Sequence, residues 1–159
     1  MLDADSIIAS LGLLPHPEGG HYIETWRAEA PVGQRSPGSA IYYLLQAGDP
    51  SAWHRVDAAE TFHHYAGAPL ELRIAAGADD QAAQRLVLGA DIEAGQRPQI
   101  VVPAGDWQSA NTLGEWTLVG CTVSPAFEFA GFVLAALDWE PGRPTTPAAT
   151  SLSRPEGQR

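Results

Sequence analysis

The chain contains no lysine, which removes Schiff-base catalysis through an amine side chain from consideration. Its one cysteine, Cys121, cannot form an internal disulfide. That thiol lies in the apolar run Leu118-Val119-Gly120-Cys121-Thr122-Val123, where a buried and inert role is expected. Bases are scarce: nine arginines face nineteen acids, for a net charge of −10. Residues 1–140 alone hold six bases against eighteen acids, a net of −12. A field of that sign repels phosphate backbones and anionic lipid, so neither nucleic acid nor a membrane surface is expected as a partner. No apolar run approaches the ~20 residues of a spanning helix, and residues 1–20 lack the basic start and apolar core of a secretory signal. A cytoplasmic protein is the expectation.

Glycine and proline, by contrast, are plentiful, at sixteen and thirteen. That density disfavours a helical bundle and suits short strands joined by turns. A length of 159 residues with 45% hydrophobic content suits one domain with a sizeable core. One short helix is predicted at the start. Asp3 or Asp5 caps it, Ile7, Ile8 and Leu11 share a face, and Gly12 ends it. Leu14-Pro15-His16-Pro17-Glu18-Gly19-Gly20 then reads as a specifically shaped loop, since its prolines fix φ and its glycines permit positive φ.

Strand patterns follow over 21–27, 40–45, 70–74, 85–88, 99–102, 115–123 and 131–137. Their roughly ten-residue spacing predicts an antiparallel sandwich or barrel. Residues 1–140 are expected to form the domain. Residues 141–159, with four prolines and Leu152 as their only large aliphatic, are expected to form a flexible tail.

Titratable chemistry concentrates in Trp53-His54-Arg55-Val56-Asp57-Ala58-Ala59-Glu60-Thr61-Phe62-His63-His64-Tyr65-Ala66-Gly67, which holds three of the five histidines. Imidazole serves as acid, base or metal ligand near neutral pH, and a carboxylate can orient it. Alternation from Glu60 puts Phe62 and His64 on its face and sends His63 outward; a bulge would re-aim the strand. His16 and His21 flank the glycine loop and are expected to bond to its backbone. Tyr22, Tyr42 and Tyr43 offer phenolic donors, and Trp53 and Trp107 either wall a pocket for a ring-shaped ligand or pack in the core.

The spacing His54-x-Val56-x-x-x-Glu60-x₆-Gly67 resembles the first cupin motif, and Pro103-Ala104-Gly105-Asp106-Trp107-Gln108-Ser109-Ala110-Asn111 resembles the second. With His16-Pro17-Glu18-Gly19-Gly20, the Ala40–Leu45 strand and the Leu118–Val123 run, the chain over about residues 12–138 is similar to a branch of small single-domain cupins. The resemblance implies an all-β, double-stranded β-helix (jelly-roll) barrel with the short N-terminal helix added. It also implies a pocket in the barrel mouth for a small-molecule ligand, and pairing into a homodimer.

Cupin metal sites use three His and one Glu. His54 and Glu60 match two of those positions, while Val56 and Gln108 stand where imidazoles belong. The expectation is therefore no tight metal centre, with at most a weak divalent transition metal. The resemblance favours His63 over His64 as the further histidine. The expected site has His54, Glu60 and His63 as catalytic residues, with Gln108, His64, Tyr22, Trp53 and Trp107 as ligand contacts. Three readings stand: a metal-independent isomerase or epimerase acting on a polar, carbohydrate-like metabolite through His/Glu acid–base chemistry; a metal-dependent dioxygenase or isomerase with an atypical site; and a non-catalytic sensing module.

Overall fold

A computed structural model describes residues 2–76, 82–143 and 150–151. The helix, α1 (Ala4–Leu11), forms where the pattern placed it. The Asp3 carboxylate accepts from the Ser6 amide at 2.8 Å, and Gly12 stops the helix in the left-handed region at φ 66°. The remainder is strand and turn. In chain order the strands are β1 (Leu14–Pro15), β2 (His21–Arg27), β3 (Ser39–Gln46), β4 (His54–Val56), β5 (Ala59–Gly67) and β6 (Leu70–Ala75). They continue with β7 (Gln84–Leu88), β8 (Gln99–Val102), β9 (Trp107–Thr112), β10 (Trp116–Ser124), β11 (Phe132–Leu134) and β12 (Thr150–Ser151).

Two antiparallel sheets face each other. The first runs β1-β2-β3-β10-β5-β8 and the second β12-β11-β4-β9-β6-β7. Six of the ten ladders among the described residues join strands that are not consecutive in the chain, the crossed-over arrangement of a jelly roll, so the all-β expectation holds. Strand alternation sends Tyr43, Leu45, Phe62, Leu70, Leu72, Val119 and Cys121 into the core between the sheets. β3 is buried on both faces, as its apolar run predicted: Leu44 points outward, and Ala4 and Ile7 of α1 pack over it.

The second sheet has an outer cluster of its own. Trp53, Ala75, Trp107, Ala135 and Trp139 pack together, with Trp107 and Trp139 rings 4.4 Å apart. This is why β11 is shorter than the sequence pattern: after Leu134 the chain leaves the ladder to lay Trp139 on the indoles. The tail expected beyond Glu140 lies mostly outside the described residues. Residues 150–151 pair as β12 with β11. No helix among the described residues is long and apolar enough to cross a membrane.

Candidate functional site

One end of the barrel opens as a cavity of about 390 Å³, reached from both sheets and from the loop before β2. The register explains which side chains enter it. In β4, His54 and Val56 point inward and Arg55 outward; His54 lies opposite Gln108 of β9 in the ladder. Glu60 of β5 comes from the facing sheet, beside Val123 of β10. Gln108 reaches between the sheets and its amide donates to Glu60 Oε2 at 2.7 Å.

The proline–glycine loop supplies the third polar group. Gly19 and Gly20 sit at φ 109° and 70°. A Cβ on Gly20 would come within 2.7 Å of the Leu44 carbonyl, so the loop is pressed directly onto β3. Five further bonds fix it. Gly20 N–H donates to Asp49 at 3.1 Å, Tyr43 O–H to the Gly19 carbonyl at 2.8 Å, and Ala52 N–H to the Glu18 carbonyl at 2.6 Å. Gly19 N–H donates to the His16 carbonyl at 3.0 Å and Glu18 N–H to His16 Nδ1 at 3.2 Å. The result drives the Glu18 side chain into the cavity, where its Oε2 stands 3.0 Å from His54 Nε2 and 3.6 Å from His16 Nδ1.

The protonation of this cluster follows from its bonds. His54 Nδ1 is 2.8 Å from the Ala52 carbonyl, which accepts only, so Nδ1 carries the hydrogen. That leaves Nε2 facing Glu18, and at 3.0 Å the two atoms share one proton. Burial is the leading cause of a lowered His54 pKa and of a raised Glu18 pKa, so the neutral pair, carboxylic acid and imidazole, is favoured over the ion pair. Burial pushes the Glu60 carboxyl up to about 7; Glu18 adds to this when ionised, while His54 when protonated and the Gln108 bond oppose it. Burial likewise raises Tyr43 and Cys121 well above their ordinary ranges, keeping phenol and thiol protonated. His16, lowered chiefly by burial, is favoured neutral.

Aromatic rings wall the cavity. Tyr22 packs edge-on against His16 at 4.5 Å, and Phe129 stacks on the same ring at 6.3 Å. At the mouth Arg27 is tied to both oxygens of Glu24, at 3.0 and 2.7 Å, and donates to the Phe127 carbonyl. Glu128 lies on the same rim.

Of the residues expected from the sequence, His54, Glu60 and Tyr22 line this cavity. Gln108 does not; it is buried behind Glu60 with its amide committed to that carboxylate. His63 faces the outer side of the first sheet, 3.4 Å from Thr122 Oγ1 and stacked beside Tyr65. A bulge does interrupt β5, but it falls at Tyr65, after His63, and so cannot turn that residue inward. His64 shares the face of Glu60 yet bonds to the Ala68 carbonyl at the strand's far end. Trp53 and Trp107 belong to the outer cluster of the second sheet, where alternation beside inward-facing His54 and Gln108 sends them. The His54 ring, which a carboxylate could have oriented, has its tautomer fixed by the Ala52 carbonyl. Glu18 was not singled out as a site residue, and Tyr43 only as one of three phenolic donors; the constrained loop around Glu18 was the available signal.

Known proteins place this architecture. The Cupin_5 family model, described as Cupin superfamily (DUF985), matches residues 5–135. The chain belongs to that cupin family. A solved protein of Shewanella oneidensis is 37% identical to this cupin, covering 84% of it and 85% of the other chain with a TM-score of 0.79. A hypothetical protein from Leishmania major is 31% identical over 82% and 86% of the two chains, with a TM-score of 0.76. No curated protein matches. Bacillus subtilis oxalate decarboxylase shares the fold alone, at 14% identity and a TM-score of 0.56, with 29% of its length covered.

The metal centre implied by the wider superfamily does not fit these residues. Val56 fills the second imidazole position with an apolar wall of the cavity, Gln108 turns its amide to Glu60, and His54 Nε2 is engaged by Glu18. Among the described residues no group of three or more His, Cys, Asp or Glu side chains is placed to hold a metal ion.

Proposed function

We propose that this cupin binds a small polar metabolite in the barrel mouth and moves a proton on it, as an isomerase or epimerase does. The observation that carries the reading is the buried Glu18–His54 contact at 3.0 Å on the cavity floor. A neutral acid and a neutral base held side by side form a bifunctional pair. His54 Nε2 takes a proton from one substrate atom while Glu18 delivers its own to another. The imidazolium and carboxylate so formed are again bonding partners, and a proton passed from Nε2 to Oε2 restores the starting state. Glu60 stabilises the transient imidazolium, since its charge favours protonated His54. The carbohydrate-like substrate class rests on analogy with the fold and is not required by this chemistry.

The test is hydrogen exchange in D₂O. A mixed pool of polar metabolites is incubated with protein and scanned by mass spectrometry for compounds gaining one mass unit. At least one compound should gain deuterium, at a rate falling by ~100-fold or more in Glu18→Gln and His54→Asn. No exchange above the buffer control would refute the proposal.

Pairing of two copies belongs to the same reading. The ladder row Trp26, Ala40, Thr122, Thr61 and Val101 crosses the outer face of the first sheet without a charge, on a chain of net charge −10.

A further inference from the structure

The cavity is chemically lopsided. Among the described residues four carboxyl groups line it, Glu18, Glu24, Glu60 and Glu128, against one guanidinium, Arg27; with Glu18 held as the acid and Glu128 3.9 Å from Arg35 outside the cavity, Glu60 carries the buried negative charge. That guanidinium is already spent on Glu24 and on the Phe127 carbonyl. A ligand carboxylate or phosphate would find no free cation among the described residues of the cavity and would meet the buried Glu60 carboxylate at the floor. The polar atoms of the floor are mostly acceptors. The Tyr43 O–H donates to Gly19, His54 Nδ1–H to Ala52, and the Gln108 amide to Glu60. Above them stand the faces and edges of Tyr22, Phe127 and Phe129. Buried acceptors of negative sign beneath aromatic rings are the two halves of a cation receptor.

We propose that the ligand of this cavity is an organic monocation, a protonated amine carried on an apolar or ring-shaped body. The N–H donors bond to Glu60 at the floor and the body lies against Tyr22, Phe127 and Phe129. The neutral Glu18–His54 pair remains beside it for proton transfer. A neutral polyol would satisfy the acceptors but leave the negative charge unbalanced. An anion would do neither. The inference rests on the cavity being the ligand site and not on the chemistry proposed for it.

Three probes of one shape and different charge test this: benzylammonium, benzyl alcohol and benzoate, titrated by calorimetry at pH 7.5 in 150 mM NaCl. At that ionic strength the Debye length is about 8 Å, which screens the general surface field but much less a buried contact. Benzylammonium should bind at least ~10-fold more tightly than benzyl alcohol, and benzoate should bind most weakly. Glu60→Gln should weaken benzylammonium far more than benzyl alcohol and so remove the preference for the ammonium. If that variant does not fold, the wild-type series decides alone. Equal affinities, a preference for benzoate, or no binding by any of the three would overturn the proposal. So would binding of added Mn²⁺ or Zn²⁺ at the floor with none by benzylammonium. A charge preference without deuterium exchange sinks the proton-transfer reading but keeps the ligand class; exchange without a charge preference does the reverse.

Discussion

Replacing Glu60 by glutamine should change how the protein's stability depends on pH. Glu60 is wholly buried, and its carboxyl is pushed from 4.5 to about 7, chiefly by desolvation. Because the folded state holds this proton more tightly than the unfolded state, ionisation opposes folding. Stability from this group is fully present below pH 4.5 and is lost as pH rises through 7. A shift of about 2.5 units corresponds to about 3 kcal/mol. For a chain of this size that is a melting-temperature difference of roughly 6–12 °C.

Glu60→Gln preserves shape and can still accept from Gln108, but it has no charge to bury. Urea unfolding of both proteins at half-unit intervals from pH 4.5 to 8.5 gives two curves. Glu18 is also raised by burial and tilts both in the same direction, so the difference between them reports Glu60 together with its coupling to Glu18 and His54. The variant should gain on the wild type by about 3 kcal/mol between the ends of the range, most steeply between about pH 5 and 6.5. Parallel curves, or a wild type that gains with pH, would refute the reasoning. Either result would mean that Glu60 is solvated or paired with a cation.

Gly20→Ala should cost roughly 2–5 kcal/mol in urea unfolding, combining the left-handed backbone with a 2.7 Å approach to the Leu44 carbonyl. Gly12→Ala, at φ 66° with nothing within 4 Å of the new methyl, should show only the backbone part, about 1–2 kcal/mol; equal losses at the two sites would refute the packing argument. Light scattering at micromolar concentration should give a dimer, and a mass of 16.9 kDa would contradict the proposed pairing.

The fold was legible where side-chain pattern and burial coincide. The α1 cap, the two-faced burial of β3 and the alternation of β6 all read directly from their residues, because each buried face is apolar. β9 was not read as a strand. Its inward positions are Gln108, Ala110 and Thr112, so the pattern lacks aliphatic side chains; the Gln108 amide nitrogen instead donates to Glu60 from the other sheet. The end of β11 was misplaced for a related reason. Ala135 and Ala136 continue an apolar pattern, but they serve an outer cluster of indoles that forms only once β4 and β9 are side by side.

The site was half legible, and the missing half shows why. His54 and Glu60 could be read together because motif spacing within one stretch carries them. His63 misled because it shares that stretch but lies on the wrong side of a strand whose bulge comes two residues too late to help it. Glu18 was hidden for the opposite reason: it meets His54 only after β2 and β3 bring the loop across, and sequence distance conceals such a contact. What the sequence did display was a loop of two prolines and two glycines, and the structure shows what it costs. Two glycines at positive φ, two prolines and a loop packed onto a strand carbonyl are a demanding way to make a turn. A backbone constrained that tightly around a single acidic side chain is better explained by the placement of the acid than by the turn itself. That argument predicts that loosening the loop harms the site beyond its effect on folding. Gly20→Ala that folds at low temperature should therefore lose deuterium exchange as Glu18→Gln does, whereas Gly12→Ala keeps it.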